Sequence, residues 1–109
     1  MAAKRRRPVH PGDILRHDFM EPLKLTAYRV AKDLGVSAPT VNEIVRRGKS
    51  VTAEMALRLA RYFGTSAQLW LNLQTQYDLE VASRKTGKKI AKTIQPAVLP
   101  SPAPADQAA

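Results

Sequence analysis

The stretch that decides the fold is residues 26–52, TAYRVAKDLGVSAPTVNEIVRRGKSVT. Val30, Ala31 and Leu34 recur at helical spacing in its first half, and Val41, Ile44 and Val45 do so in its second. Between them Leu34-Gly35-Val36-Ser37 has the make-up of a tight corner. Gly35 can take the positive φ that ends a helix. Val36 can plug the angle between the helices, and Ala31 is small enough to let the second helix cross closely. Ser37 can N-cap that second helix, accepting from backbone N–H groups otherwise left unpaired. This is the sequence form of a helix-turn-helix, whose second helix enters the DNA major groove. Spacing alone also fits any small corner between two helices. Polarity and charge favour DNA: Ser37, Ala38, Thr40, Asn42, Glu43 and Arg46 are polar or small outward positions, and Arg46, Arg47 and Lys49 form a cationic exit.

Working outward, the chain carries +9 formal charge over 109 residues, enough for one domain with tails. The charge is unevenly placed. Lys4-Arg5-Arg6-Arg7 open the chain and Arg84, Lys85, Lys88, Lys89 and Lys92 follow the apolar region, while residues 10–83 hold nine Lys/Arg against eight Asp/Glu. Basic arms can follow a polyanionic backbone and release its counterions; solubilising tails or cloning remnants are the plainer reading of the first one. A membrane-surface role lacks an accompanying amphipathic aromatic helix. The chain has no cysteine, hence no disulfide framework, and no apolar run of membrane-spanning length, so a cytoplasmic protein is expected. His10 and His17 lack a third metal ligand and an HExxH pattern, so both are expected at the surface, with no metal and no cofactor.

Residues 1–9 read as a disordered basic arm. His10-Pro11-Gly12-Asp13 introduces a helix whose apolar stripe is Ile14, Leu15, Phe19 and Leu23, broken by Pro22 near Glu21. Helices over about 26–34 and 38–47 form the corner, with Thr26 as a cap, Pro39 in the second helix's first turn and Gly48 closing it. Thr52 starts a fourth helix with Met55, Ala56, Leu59, Ala60 and Phe63 inward, leaving Arg58 and Arg61 to stay wet or reach a phosphate. A fifth, expected over about 67–84 with Thr65 or Ser66 as its cap and Thr65-x-x-Gln68 fitting a capping box, buries Leu69, Trp70, Leu73 and Tyr77. The Trp70 indole N–H needs a partner. Leu71, Leu79 and Val81 are left over and suggest a dimer seam, against the plainer reading of ordinary surface apolarity. Residues 10–86 thus read as the folded domain, and 87–109 as a basic, then Pro/Ala-rich, flexible tail.

Three strings carry a family resemblance: HPGDILRHDFMEPLKLTAYRVAKDLGVS, NEIVRRGKSVTAEMALRLARYFGTS and LWLNLQTQYDLEVA. Over about residues 10–82 the chain resembles the HigA-type antitoxins of the XRE/Cro-like helix-turn-helix group. The resemblance implies an all-α, λ-repressor-like five-helix domain acting as a homodimer. It also implies a palindromic double-stranded DNA operator that controls the protein's own operon, and a HigB-type toxin partner, a ribosome-dependent mRNA endonuclease of RelE-like fold. The sequence departs from the group at Ala27, where many relatives place a phosphate-reaching Gln, and at Ala38-Pro39-Thr40, where relatives often carry longer polar residues. A stand-alone repressor of the same group, without a toxin, uses the same DNA chemistry. No clustered carboxylates or nucleophile constellation supports an enzyme, and the six aromatics, mostly at core spacing, argue against RNA stacking.

Expected roles follow from position. Ser37, Ala38, Thr40 and Asn42 lie in the half of the second helix that meets base edges. Thr40 can bond a base edge or touch a thymine methyl; Asn42 can read adenine or brace the loop before the fourth helix. Glu43 can accept from cytosine or pair with Arg46 or Arg47. Arg46, Arg47 and Lys49 are backbone clamps, with Arg46 also in reach of a guanine. Tyr28 and Arg29 sit where a helix N-terminus meets phosphate.

Overall fold

In the computed structural model, which describes residues 7–98, the chain is all-α. Short α1 (Pro11–Ile14) runs without a break into a π-helical segment (Leu15–Met20), and is followed by α2 (Ala27–Leu34), α3 (Ala38–Arg47), α4 (Ala53–Phe63) and α5 (Ala67–Thr93). The described residues contain no strand. Serine and threonine caps open four helices: Thr26 Oγ1 accepts from Arg29 N, Ser37 Oγ from Thr40 N, Thr52 Oγ1 from Met55 N and Ser66 Oγ from Leu69 N. Gly35 (φ 77°) and Gly48 (φ 72°) are left-handed at the ends of α2 and α3. That conformation turns the chain back over each helix C-terminus and costs a glycine little.

The core is drawn from the set the sequence marks: Leu15, Val30, Ala31, Leu34, Val41, Ile44, Val45, Met55, Ala56 and Leu59, joined by Met20 and Val51 and closed by the fully buried Trp70, whereas Leu69, expected inward, is 38% exposed. The Trp70 indole N–H donates to Thr65 Oγ1 at 2.8 Å. Thr65 therefore serves the tryptophan, and of the two cap candidates it is Ser66 that caps α5; the Thr65–Gln68 box does not form, and Gln68 donates to Asn72. Phe19 packs on both Phe63 and Trp70, at 4.8 and 5.4 Å between ring centroids.

Three further expectations change. The first helix widens to π winding before Pro22: Glu21 N–H reaches back to the Arg16 carbonyl and Leu25 N–H to that of Met20, each five residues back. The chain then leaves in a turn that carries Leu23 into solvent, 58% exposed, so Leu23 is no part of the apolar stripe. His10 is buried at 6% exposure, whereas His17 is at the surface as expected. His10 is the N-cap of α1, its Nδ1 accepting from Gly12 N–H at 2.8 Å, and its ring stands edge-on to Tyr77 at 4.7 Å. Finally, α5 runs nine residues beyond the expected end at 84 and seven into the supposed tail. Arg, Lys, Ala and Ile all tolerate helix, Gly87 weakens it without breaking it, and the first real stop is Pro96, whose predecessor disfavours helical geometry. The basic arm at residues 1–6 and the Pro/Ala tail from 99 onward lie outside the described residues.

Gly12 has the tightest surroundings among the described glycines. A Cβ built on it would lie 2.1 Å from the Ile44 carbonyl oxygen and 3.0 Å from His10 Nδ1. The start of α1 thus packs backbone to backbone against the C-terminal half of α3. Gly12→Ala is expected to lower stability by about 3 kcal/mol, the upper end for overpacking a closed site, read as a lower urea midpoint at unchanged m-value. Burial holds the His10 pKa below its ordinary value, against weaker opposing pulls from Asp13, Asp78 and the Gly48 backbone. A depressed histidine pKa means that the unfolded chain takes up a proton the folded one refuses. Stability should therefore fall as pH drops through about 6.5 and stop falling below the folded-state pKa. Melting temperatures between pH 8 and 5 check this; His10→Asn, which keeps a capping oxygen, should remove that part of the slope.

Candidate nucleic-acid interface

The helix-turn-helix presents α3 with its apolar side inward and the opposite side free. At about 100° per residue, the centre of that outward side is Pro39, Glu43 and Arg46, with Asn42 and Arg47 at its flanks. Arg46, Arg47 and Pro39 are exposed, while Ala38, Thr40, Asn42 and Glu43 are half-buried. Pro39 joins the surface unforeseen: its place in the first turn is clear from sequence, but not that it centres the outward face. Ala38 and Thr40 lie toward the edges of that face. Both ends of α3 are fixed, by the Ser37 cap and by Gly48, whose reversal lets Lys49 N–H donate to the Glu43 carbonyl at 3.0 Å.

Most polar side chains on this face already have partners. Ser37 Oγ and Thr40 Oγ1 lie 2.8 Å apart and share a hydrogen bond. One hydroxyl of the pair keeps a proton to offer outward, so Thr40 meets a base as part of a coupled pair. Asn42 neither braces the loop before α4 nor stands alone: its Oδ1 accepts from Arg46 Nε at 3.1 Å, leaving its amide N–H groups to donate. Glu43 pairs with Lys49, Oε1 to Nζ 3.2 Å, and not with Arg46 or Arg47. The left-handed Gly48 brings Lys49 back over Glu43, a pairing helical i+3 and i+4 spacing cannot anticipate. Arg47 has no ion pair or side-chain hydrogen bond among the described residues, so it is the cation of the exit cluster most ready for a phosphate.

At the start of α2, Tyr28 is 70% exposed. Arg29 is also exposed, but its Nε donates to Asp33 Oδ2 at 2.8 Å, and the Tyr62 hydroxyl donates to the same oxygen. The Tyr62 and Arg29 hydrogen bonds hold the Asp33 carboxyl below its usual pKa, and Asp33 in turn raises that of Arg29 and Tyr62. Arg29 thus reaches a phosphate only by sharing or leaving Asp33.

Two supporting residues have roles that the sequence does not display. Arg58 is not a wet surface cation: Nη1 donates to the Leu34 carbonyl at 2.7 Å, satisfying the end of α2, while Nη2 pairs with Glu54. Gln74 is buried, accepts from Val51 N–H at 2.8 Å and donates to Asp78, which ties the loop after α3 to α5. The bonds to Leu34 and Val51 each span more than twenty residues, and only the fold reveals them. The dimerisation set is not brought together: Leu71 is half-buried against the core, and Leu79 and Val81, two residues apart on one helix, emerge on nearly opposite sides. No group of three metal-binding side chains occurs among the described residues, and no described helix is long and apolar enough to cross a membrane.

A family profile described as Helix-turn-helix matches residues 17–70. The chain is 53% identical over 76 residues to virulence-associated protein I of Dichelobacter nodosus, covering 70% of each chain. It is 34% identical over 96 residues to antitoxin HigA-1 of Vibrio cholerae, covering 88% of this chain and 90% of the relative. Its fold matches a solved structure of the Pseudomonas aeruginosa antitoxin HigA with the higBA promoter, with a TM-score of 0.81 and 49% identity over 84% of this chain and all of the other.

The pairing pattern ranks the cations. Arg47→Ala should flatten the plot of log affinity for duplex DNA against log salt by about 0.9 for each phosphate that Arg47 neutralises. Lys49→Ala should flatten it less, because Glu43 already holds that ammonium, and Glu43→Gln should tighten binding by releasing it. Fluorescence anisotropy across a salt series reads all three; an Arg47→Ala slope equal to wild type contradicts a phosphate role for Arg47.

Proposed function

The chain belongs to the HigA-type antitoxins of the helix-turn-helix family, and on that premise we propose that it represses its own operon at a palindromic DNA operator and neutralises a HigB-type mRNA endonuclease toxin. The observation that carries the DNA part is α3 itself: capped at both ends, wedged from behind by α1, and turning Pro39, Glu43, Arg46 and Arg47 outward. Arg46 and the Asn42 amide, held together, form one donor unit for the N7/O6 acceptor edge of a guanine. The Ser37–Thr40 pair and Ala38 meet the neighbouring base or a thymine methyl. Tyr28, Arg29, Arg47 and Lys49 set the register on phosphates at the two ends of the corner. In this reading the protein is a binding module, not an enzyme.

One α3 reads too few base pairs for useful specificity, so the protein acts as a homodimer. The seam is best drawn on α5 along Leu79, Ser83, Thr86 and Ile90, which recur at four- and three-residue steps on one side of the helix. Leu79 and Ile90 are 66% and 49% exposed in the single chain. The toxin part rests on family membership, and the partner is a small nuclease protein.

Binding-site selection with the full chain tests this reading. It should return a palindrome whose half-sites lie about 10 base pairs apart or a multiple of that. A Leu79→Asp, Ile90→Asp variant should bind the same sequence at least tenfold more weakly and sediment as a monomer. A selected motif without two-fold symmetry, or no enrichment, would overturn the proposal. Co-purification of a small nuclease from the native host tests the toxin half separately.

A further inference from the structure

We propose that the part of α5 beyond Tyr77 is a second DNA-contacting element, whose basic face grips the phosphate backbone flanking the bases that α3 reads; this rests on the DNA-binding reading above. Arg84, Lys85, Lys88, Lys89 and Lys92 all lie on the helical part of the chain. At about 100° per residue they fall within an arc of about 140°, centred on the line of Trp70, Gln74 and Tyr77. The overhang therefore continues the side of α5 that packs on the body, with cations in place of core residues. Leu79, Ser83, Thr86 and Ile90 occupy the other side, so the proposed dimer seam and the basic face do not compete.

The body places this face beside the α3 exit. Arg7, His10, Asp13, Arg46, Gly48 and Tyr77 line one shallow recess of about 260 Å³. Hence α5 passes the end of α3 and the start of α1 just before its cations begin. From Asp78 to Thr93 the helix extends about 24 Å, the rise of roughly seven base pairs of duplex.

The face is electrostatically unsatisfied. Arg84 pairs with Glu80 at 2.9 Å, but Lys85, Lys88, Lys89 and Lys92 make no ion pair among the described residues. Arg84 and Lys88, Lys85 and Lys89, and Lys88 and Lys92 stand four apart as like-charge pairs that oppose the helix, and Gly87 weakens it further. A polyanion relieves this repulsion. Duplex DNA fits better than the alternatives: no aromatic residue follows Tyr77 to stack an unpaired RNA base, and Ser83 and Thr86 interrupt the apolar side that a membrane helix would need.

The test compares the full chain with its Lys85→Gln, Lys88→Gln, Lys89→Gln, Lys92→Gln variant, the two matched for helix content by circular dichroism. The probes are the selected core duplex and the same duplex lengthened by unrelated sequence at each end, about 12 base pairs a side, well beyond the roughly seven that the overhang spans. The wild-type protein should bind the longer duplex at least tenfold more tightly at low salt, with a salt slope steeper by up to about 3.6 per protomer. The variant should bind both duplexes alike, near the wild-type affinity for the core. An equal gain with length in both proteins, or none in wild type, overturns the proposal, as does a larger loss on single-stranded RNA than on the long duplex. Failure of the wild-type protein to bind the core duplex would instead overturn the helix-turn-helix reading.

Discussion

The contact on which the rest depends is the backbone of Gly12 lying against the Ile44 carbonyl. There α1 and α3 approach more closely than any pair with side chains between them could. His10 completes the contact by capping α1 through Nδ1 while its ring packs on Tyr77 of α5. Three helices are thereby locked at one point, directly behind the C-terminal half of the recognition helix. Specific DNA reading needs a helix held in one orientation, because a rotation of about 40° would replace Arg46 by Asn42 at the bases. This wedge supplies the constraint from behind, and the Ser37 cap and Gly48 supply it at the ends.

A second theme is that the charge of the interface is largely pre-committed. Arg29 is held by Asp33, Lys49 by Glu43, and Arg46 by Asn42, while Arg58 is turned inward to close α2. Exposed pairs of this kind add little stability. Their effect is on geometry: they fix where each donor points before DNA arrives. Of the cations around α3, Arg47 is left without such a partner among the described residues, as are Lys85, Lys88, Lys89 and Lys92 on α5.

Much of this is legible in the sequence, for local reasons. Thr26, Ser37 and Thr52 announce helix starts because their hydroxyls cap backbone donors nearby, and Gly35 and Gly48 announce helix ends because they turn left-handed. The core stripes follow from period alone. The features that escape a sequence reading are those whose partner lies far along the chain or beyond a turn. His10 resembles a surface histidine because nothing local shows that Tyr77 covers it. Arg58 and Gln74 look ordinary because Leu34 and Val51 lie more than twenty residues away. The length of α5 is hidden because a basic run beside Gly87 resembles a tail, while its helical potential lasts until Pro96. The partners of Glu43 and Asn42 depend on the reversal at Gly48 and on rotamers that spacing does not fix.

The central claim is that the outward side of α3 is the DNA-reading surface. An amide chemical-shift titration of the full chain with the selected duplex tests it most directly. The account predicts that the largest shifts fall on residues 40–49 and on Tyr28 and Arg29, while the groove between α2 and α4 at Leu57 and Arg61 stays unchanged. Shifts concentrated on that groove, with α3 unaffected, would contradict it.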